Sequence, residues 1–155
     1  MTIEQKVSQT ILEKPQSVML GGEAYEIAPP TLATLIMISE QVSLLPDLDG
    51  DNVLTQVLAK AKDAYPLAKI AAIAILGAKK INEEKKGGNL WHKKPCEFER
   101  LCDKIATECS IQELNLVIAS LLVKMQIGDF FACTTSLTAA NITRPTRGVE
   151  TASGH

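Results

Sequence analysis

The hydrophobic and polar positions of the chain change period several times, and each change marks an element. Ile3, Val7 and Ile11 recur at i, i+4 and i+8. With Thr2 and Gln5 at capping-box spacing, they predict a short helix over 2–14 that Pro15 stops. From 16 to 28 the period drops to two: Val18 and Leu20 alternate with Ser17 and Met19, and Tyr25 and Ile27 with Ala24 and Glu26. Gly21-Gly22-Glu23 lies between the two runs. A type II′ turn at Gly22-Glu23 would pair Leu20 with Tyr25 and Val18 with Ile27, with all four side chains on one face. An isolated hairpin is marginal in water, so that face is expected to lie on helices.

Helical spacing returns after Pro29-Pro30. Thr31 is placed to cap a helix carrying Leu32, Leu35, Ile36, Ile38, Val42 and Leu45, and Pro46 follows. A polar turn over 47–51 leads to a second helix near Asp51, with Val53, Val57, Leu58 and Ala61 on one side. Pro66 suits the first turn of a third helix, alanine-rich from Leu67 to Ala78, whose small residues admit a close neighbour and predict a central position. It runs through Lys79–Lys86, where lysines suit the helix dipole, to Gly87-Gly88. A loop over 87–95 holds Trp91, and Pro95 opens a helix to about Glu108 with Phe98, Leu101, Cys102 and Ile105 inward. Ser110-Ile-Gln-Glu113 is a capping box and is expected to start the longest helix. The apolar period disappears from Ala139 onward. The expected architecture is mainly α, a compact bundle of about five or six helices with one N-terminal β-hairpin (16–28) packed on it. The organisation reads as a single domain over 1–138 and a flexible tail over 139–155, whose segment 141–155 should be removable with little loss of stability.

Composition narrows the function. The 155 residues are 46% hydrophobic but only 4% aromatic, with a net charge of −2. The apolar weight therefore sits on aliphatic residues, which favour helix. Slight acidity argues against a nucleic-acid binder, which needs a positive field. The longest apolar stretches, Ile70–Ala78 and Leu116–Val123, fall short of the ~20 residues of a membrane span. The first residues carry an acid and no apolar run of the signal-peptide kind. A cytoplasmic protein with reduced thiols is the expectation.

Candidate chemistry is sparse. His92, Cys96, Cys102 and Cys109 are close in sequence, but zinc knuckles need gaps of two to four residues, and Cys96 and Cys102 stand roughly 240° apart on a helix. Cys133 is remote from them. Asp47, Asp49 and Asp51 imitate the start of an EF-hand loop, but Gly50 comes one residue early and Leu58 replaces the closing glutamate. No nucleophile elbow, Walker loop or metalloprotease helix occurs, and His155 lies in the tail. Lys79, Lys80, Lys85, Lys86, Lys93 and Lys94, beside His92 and Trp91, could touch phosphates, but a solvated helix end and loop accounts for them better. No catalytic residue, metal or cofactor is assigned.

The last helix offers two apolar stripes. Ile111, Leu114, Ile118, Leu121, Leu122 and Met125 form one; Leu116, Val123, Ile127 and Phe130 form the other. Either both are buried within the monomer, or the second meets another chain. Leu116, Val123, Ile127 and Phe130 are therefore the candidate partner-binding residues, and the tail after Ala139 is a second candidate that could order on binding.

The run Val18-Met-Leu-Gly-Gly-Glu-Ala-Tyr-Glu-Ile-Ala-Pro-Pro-Thr-Leu-Ala-Thr-Leu-Ile-Met-Ile-Ser39 resembles the N-terminal part of the tail assembly chaperones of long-tailed bacteriophages and prophages. In that family a short hairpin with Gly-Gly and Tyr-x-Ile leads through Pro-x-Thr into a leucine-rich helix. The resemblance covers residues 18–39; the cysteine-bearing helix and the Trp91 loop have no place in it. It implies a non-enzymatic chaperone that binds the helical tape measure protein and keeps it soluble while tail-tube subunits polymerise, with tail-tube subunits or further copies of itself as possible partners. The alternatives are a minor structural tail or connector subunit, and a small metal- or thiol-dependent regulator.

Overall fold

A computed structural model describes residues 2–4, 15–48, 50, 52–87 and 95–140. The expected helix over 2–14, the Trp91 loop and segment 141–155 lie largely or wholly outside them. The chain divides into two compact units, Met1–Met125 and Gln126–His155, and each is described by itself.

In the first unit the period-two segment pairs as an antiparallel hairpin of β1 (Gln16–Leu20) and β2 (Glu23–Ile27). The turn is one residue earlier than the sequence reading placed it. Leu20 pairs with Glu23, Val18 with Tyr25 and Gln16 with Ile27. Gly21 and Gly22 both have positive φ, 54° and 78°, the requirement of a type I′ turn rather than the expected II′. Two adjacent glycines supply both left-handed positions without a Cβ clash, whereas a turn at Gly22-Glu23 uses only one of them. The pairing moves by two residues, so the inward face keeps Val18, Leu20, Tyr25 and Ile27. Val18, Leu20 and Ile27 are buried and Tyr25 is half-buried.

The helices of this unit are α1 (Leu32–Val42), α2 (Val53–Lys60) with a 3₁₀ turn at Ala61–Asp63, α3 (Tyr65–Gly87), α4 (Glu97–Glu108) and α5 (Ile111–Lys124). With α6 (Ile127–Ala139) of the second unit, the described residues hold six helices and one hairpin. This is the mainly α bundle with a packed N-terminal hairpin that the sequence predicts. α3 is central: α1, α4, α5 and β2 all pack on it. Its alanines explain the close fit. Ala68, Ala71 and Ala72 join a core with the hairpin, α4 and α5, while Ile70, Ile73 and Ile81 join a second core with Ile38 and Leu121. Each fully buried aliphatic side chain, such as Ile27 or Ile73, contributes about 1.5–3 kcal/mol.

α3 is not one continuous helix. Gly77 has φ 74° and ψ 155°, a conformation outside the helix and reserved to glycine. The break deprives the Ala78 N–H of a helical acceptor, and the buried Thr34 hydroxyl of α1 accepts it at 3.1 Å. Thr31 caps α1 as predicted, accepting the Thr34 N–H at 3.3 Å, and its hydroxyl lies 3.0 Å from that of Thr34.

The expected longest helix is also interrupted. α5 begins at the predicted capping box: the Glu113 N–H donates to Ser110 Oγ (3.2 Å), and the Ser110 N–H donates to Glu113 Oε2 (2.8 Å). It ends at Lys124. The Met125 N–H turns back to the Leu122 carbonyl, and Gln126 takes a left-handed conformation (φ 47°, ψ 49°). The Gln126 carbonyl then accepts the N–H groups of Asp129 and Phe130 to start α6. Gly128 and Asp129, both weak helix formers, follow the break.

Candidate interaction surfaces

The polar groups singled out by the sequence are dispersed. Cys102 is buried in the core, where burial pushes its thiol up to about 11. Cys96 and Cys109 sit at the two ends of α4, and Cys133 is exposed on α6. All four are free thiols. Among the described residues no group of three or more His, Cys, Asp or Glu side chains is arranged to hold a metal ion. His92, Lys93, Lys94, Asp49 and Asp51 lie outside the described residues. Lys80 is drawn off by an exposed ion pair to Glu97 at 2.7 Å. Among the described residues no single helix is long and apolar enough to cross a membrane.

The apolar surface is more informative. The core face of α5 is formed by Leu114, Val117 and Leu121, with Ser120 and Lys124 also buried. It is therefore rotated from the predicted first stripe, of which Ile111 and Leu122 are exposed. The rotation follows from what α5 packs on: it closes both over the hairpin and against α3, which draws Val117 to the centre. The second stripe faces outward, with Leu116 55% and Val123 59% exposed. Ile127 and Phe130 are exposed as well, but they belong to α6. Helical counting that aligns them with Leu116 and Val123 runs across the break at Gln126, so the four do not form one continuous stripe on one helix.

A further apolar face is the one the spacing predicts on the second helix, and the structure leaves it uncovered among the described residues. Val53, Leu54, Val57 and Leu58 of α2 are all exposed. Their spacing of one and four residues gathers them on one side of that helix, yet nothing on α2 is buried. Leu32 and Ile36 add a smaller pair on α1. Exposed apolar residues are ordinary singly, but grouped on one helix face they mark a place where another surface can be buried.

A groove of about 800 Å³ lies between β2, α3 and α4. Ile75, Leu76 and Leu101 are its apolar lining. Its charged walls are partly self-neutralised. Lys104 pairs with Glu23 at 2.7 Å, and the Tyr25 hydroxyl donates to Glu23 at 2.8 Å. The Lys104 contact and then the Tyr25 hydrogen bond hold the Glu23 carboxyl below the usual range, and Glu23 in turn raises Lys104. No local sequence signal announces this groove, because it joins a strand and two helices that are distant in sequence.

Compared with models of known protein families, with curated proteins and with solved structures, the chain matches none of them.

Proposed function

We propose that this chain is a non-enzymatic assembly chaperone of the bacteriophage tail type, acting in the bacterial cytoplasm. It would cover apolar helical segments of a tape measure protein until the tail tube polymerises around them. The observation that carries this reading is the set of aliphatic side chains left exposed on helix faces: Val53, Leu54, Val57 and Leu58 on α2, and Leu116 and Val123 on α5. A surface of this kind suits an amphipathic helix laid against it, since aliphatic knobs at helical spacing meet their like without directional chemistry. Ile127 and Phe130 on α6 offer the same chemistry. The hairpin-to-helix order of residues 18–39, which carries the family resemblance, supports the same reading.

The test is co-expression with the tape measure protein of the same gene cluster. Soluble client should rise, and the two should co-purify. A client equally insoluble with and without this chain would overturn the proposal, and so would abundant copies of the chain in purified virions.

A further inference from the structure

The groove beside β2 has a feature that helix binding does not use. In a two-residue hairpin the residues flanking the turn exchange hydrogen bonds, and pairs then alternate along the strands. Glu23, Tyr25 and Ile27 therefore point their main-chain groups at β1, while the N–H and C=O of Ala24 and of Glu26 point away from it. Those residues line the groove, and among the described residues no backbone hydrogen bond outside the helices and strands involves either of them. A free strand edge of this kind is a template for another strand.

The far wall supplies a charge pattern. Glu108 lies beside the Gly21 turn and Lys104 is bonded to Glu23, so α4 runs back along β2, with Arg100 towards the Ile27 end. Lys80 and Lys104 have their carboxylates, whereas Arg100 and Glu108 have no ion pair among the described residues. The two stand about 12 Å apart along the helix, which an extended chain spans in about four residues at roughly 3.3 Å each. Four is an even number, so both matching side chains fall on the same side of a strand as the residue midway between them. That middle residue faces Ile75, Leu76 and Leu101.

We propose that the groove binds an extended segment of a partner protein, added antiparallel to β2 as a third strand, with the pattern acid–x–aliphatic–x–base. The acid meets Arg100, the aliphatic side chain meets the apolar lining, and the base meets Glu108. Main-chain bonds to Ala24 and Glu26 supply affinity, and the alternate side chains supply specificity. This site is separate from the apolar helix faces, and its test does not depend on the identity of their client.

The experiment uses the full chain and a fluorescent, threonine-rich heptapeptide with aspartate second, valine fourth and lysine sixth. Anisotropy should rise on titration, and amide exchange at Ala24 and Glu26 should slow. Arg100→Glu, at an exposed position, should weaken binding roughly tenfold or more. A peptide with lysine second should recover binding to that variant, which a merely structural role for Arg100 would not allow. The absence of binding up to millimolar peptide would overturn the proposal, as would affinity indifferent to Arg100→Glu. Exchange at Ala24 and Glu26 that slows with protein concentration alone would also overturn it, by showing that a second copy occupies the edge.

Discussion

Gly77 and Thr34 form a two-residue device at the centre of the fold. The glycine adopts φ 74° and ψ 155°, where any Cβ is strained even though the space around it is open. Gly77→Ala should therefore cost about 1–3 kcal/mol, read as a fall in denaturation midpoint, despite replacing a helix-interior glycine with the best helix former. Thr34→Val keeps the shape but leaves the Ala78 N–H without its acceptor, for a loss of about 1–3 kcal/mol. A Gly77→Ala variant as stable as the parent would show that α3 can run straight. Thiol chemistry is a second test at this scale. Burial disfavours the thiolate of Cys102, so a thiol reagent at mild alkaline pH should modify the exposed Cys133 first and Cys102 last. Mass mapping of partly labelled protein reads the order.

At the scale of the element, the hairpin, α1, α3 and α4 were legible because each carries its own punctuation. Gly-Gly marks a turn, Thr31 marks a cap, Gly87 marks a helix end and Pro95 marks a helix start; Ser110 likewise marks the start of α5. Ser110→Ala removes the two bonds of the α5 cap that use its hydroxyl, from the Glu113 N–H (3.2 Å) and to Glu113 Oε2 (3.0 Å), but leaves the Ser110 N–H bond to Glu113; it should lower stability by about 0.5–2 kcal/mol, measured by denaturant unfolding. The break between α5 and α6 had no such mark. Gln126 is not a residue that signals a left-handed position, and the apolar residues continue past it. The burial of α5 was half legible for a related reason: periodicity gave two candidate faces, but only the partners of the helix chose between them. Val123 faces outward, so Val123→Asp should leave the helical signal intact, shift stability by no more than about 0.5 kcal/mol, and weaken capture of the tape measure client in co-purification. Unfolding of that variant would place Val123 in the core and remove it from the binding face.

For the whole molecule, the ion pairs and caps together give a pH dependence. The Glu23 carboxyl is lowered chiefly by its bond to Lys104, and the Glu113 carboxyl chiefly by the Ser110 N–H. A carboxyl lowered on folding contributes stability that is complete above its ordinary value near 4.5 and is lost as pH falls through the lowered value. Tyr65 has the opposite sign. Burial, and then its hydrogen bond to Asp103 (2.9 Å), raise it to about 12, so its contribution is lost as pH climbs from 10 towards 12. Cys102, raised from 9.0 to about 11 by burial, has the same sign as Tyr65, so thermal scans should show a plateau between about 4.5 and 9 and a decline on each side. Tyr65→Phe should reduce only part of the alkaline decline, and Ser110→Ala only part of the acid one.

The sequence by itself determined the class of fold and the order of its elements. Hydrophobic period, capping residues and turn glycines are local quantities, and each acts within a few residues of where it is read. It also determined that the surface would be aliphatic rather than aromatic. The tertiary structure alone decided which apolar faces are spent in the core and which remain open, since an amphipathic helix such as α2 reads the same whether or not a neighbour covers it. It alone broke α3 at Gly77, because the acceptor that makes the break tolerable is supplied by Thr34 from another helix. It alone set the outer edge of β2 opposite Arg100 and Glu108, because that meeting depends on how distant segments pack and on nothing written beside either of them.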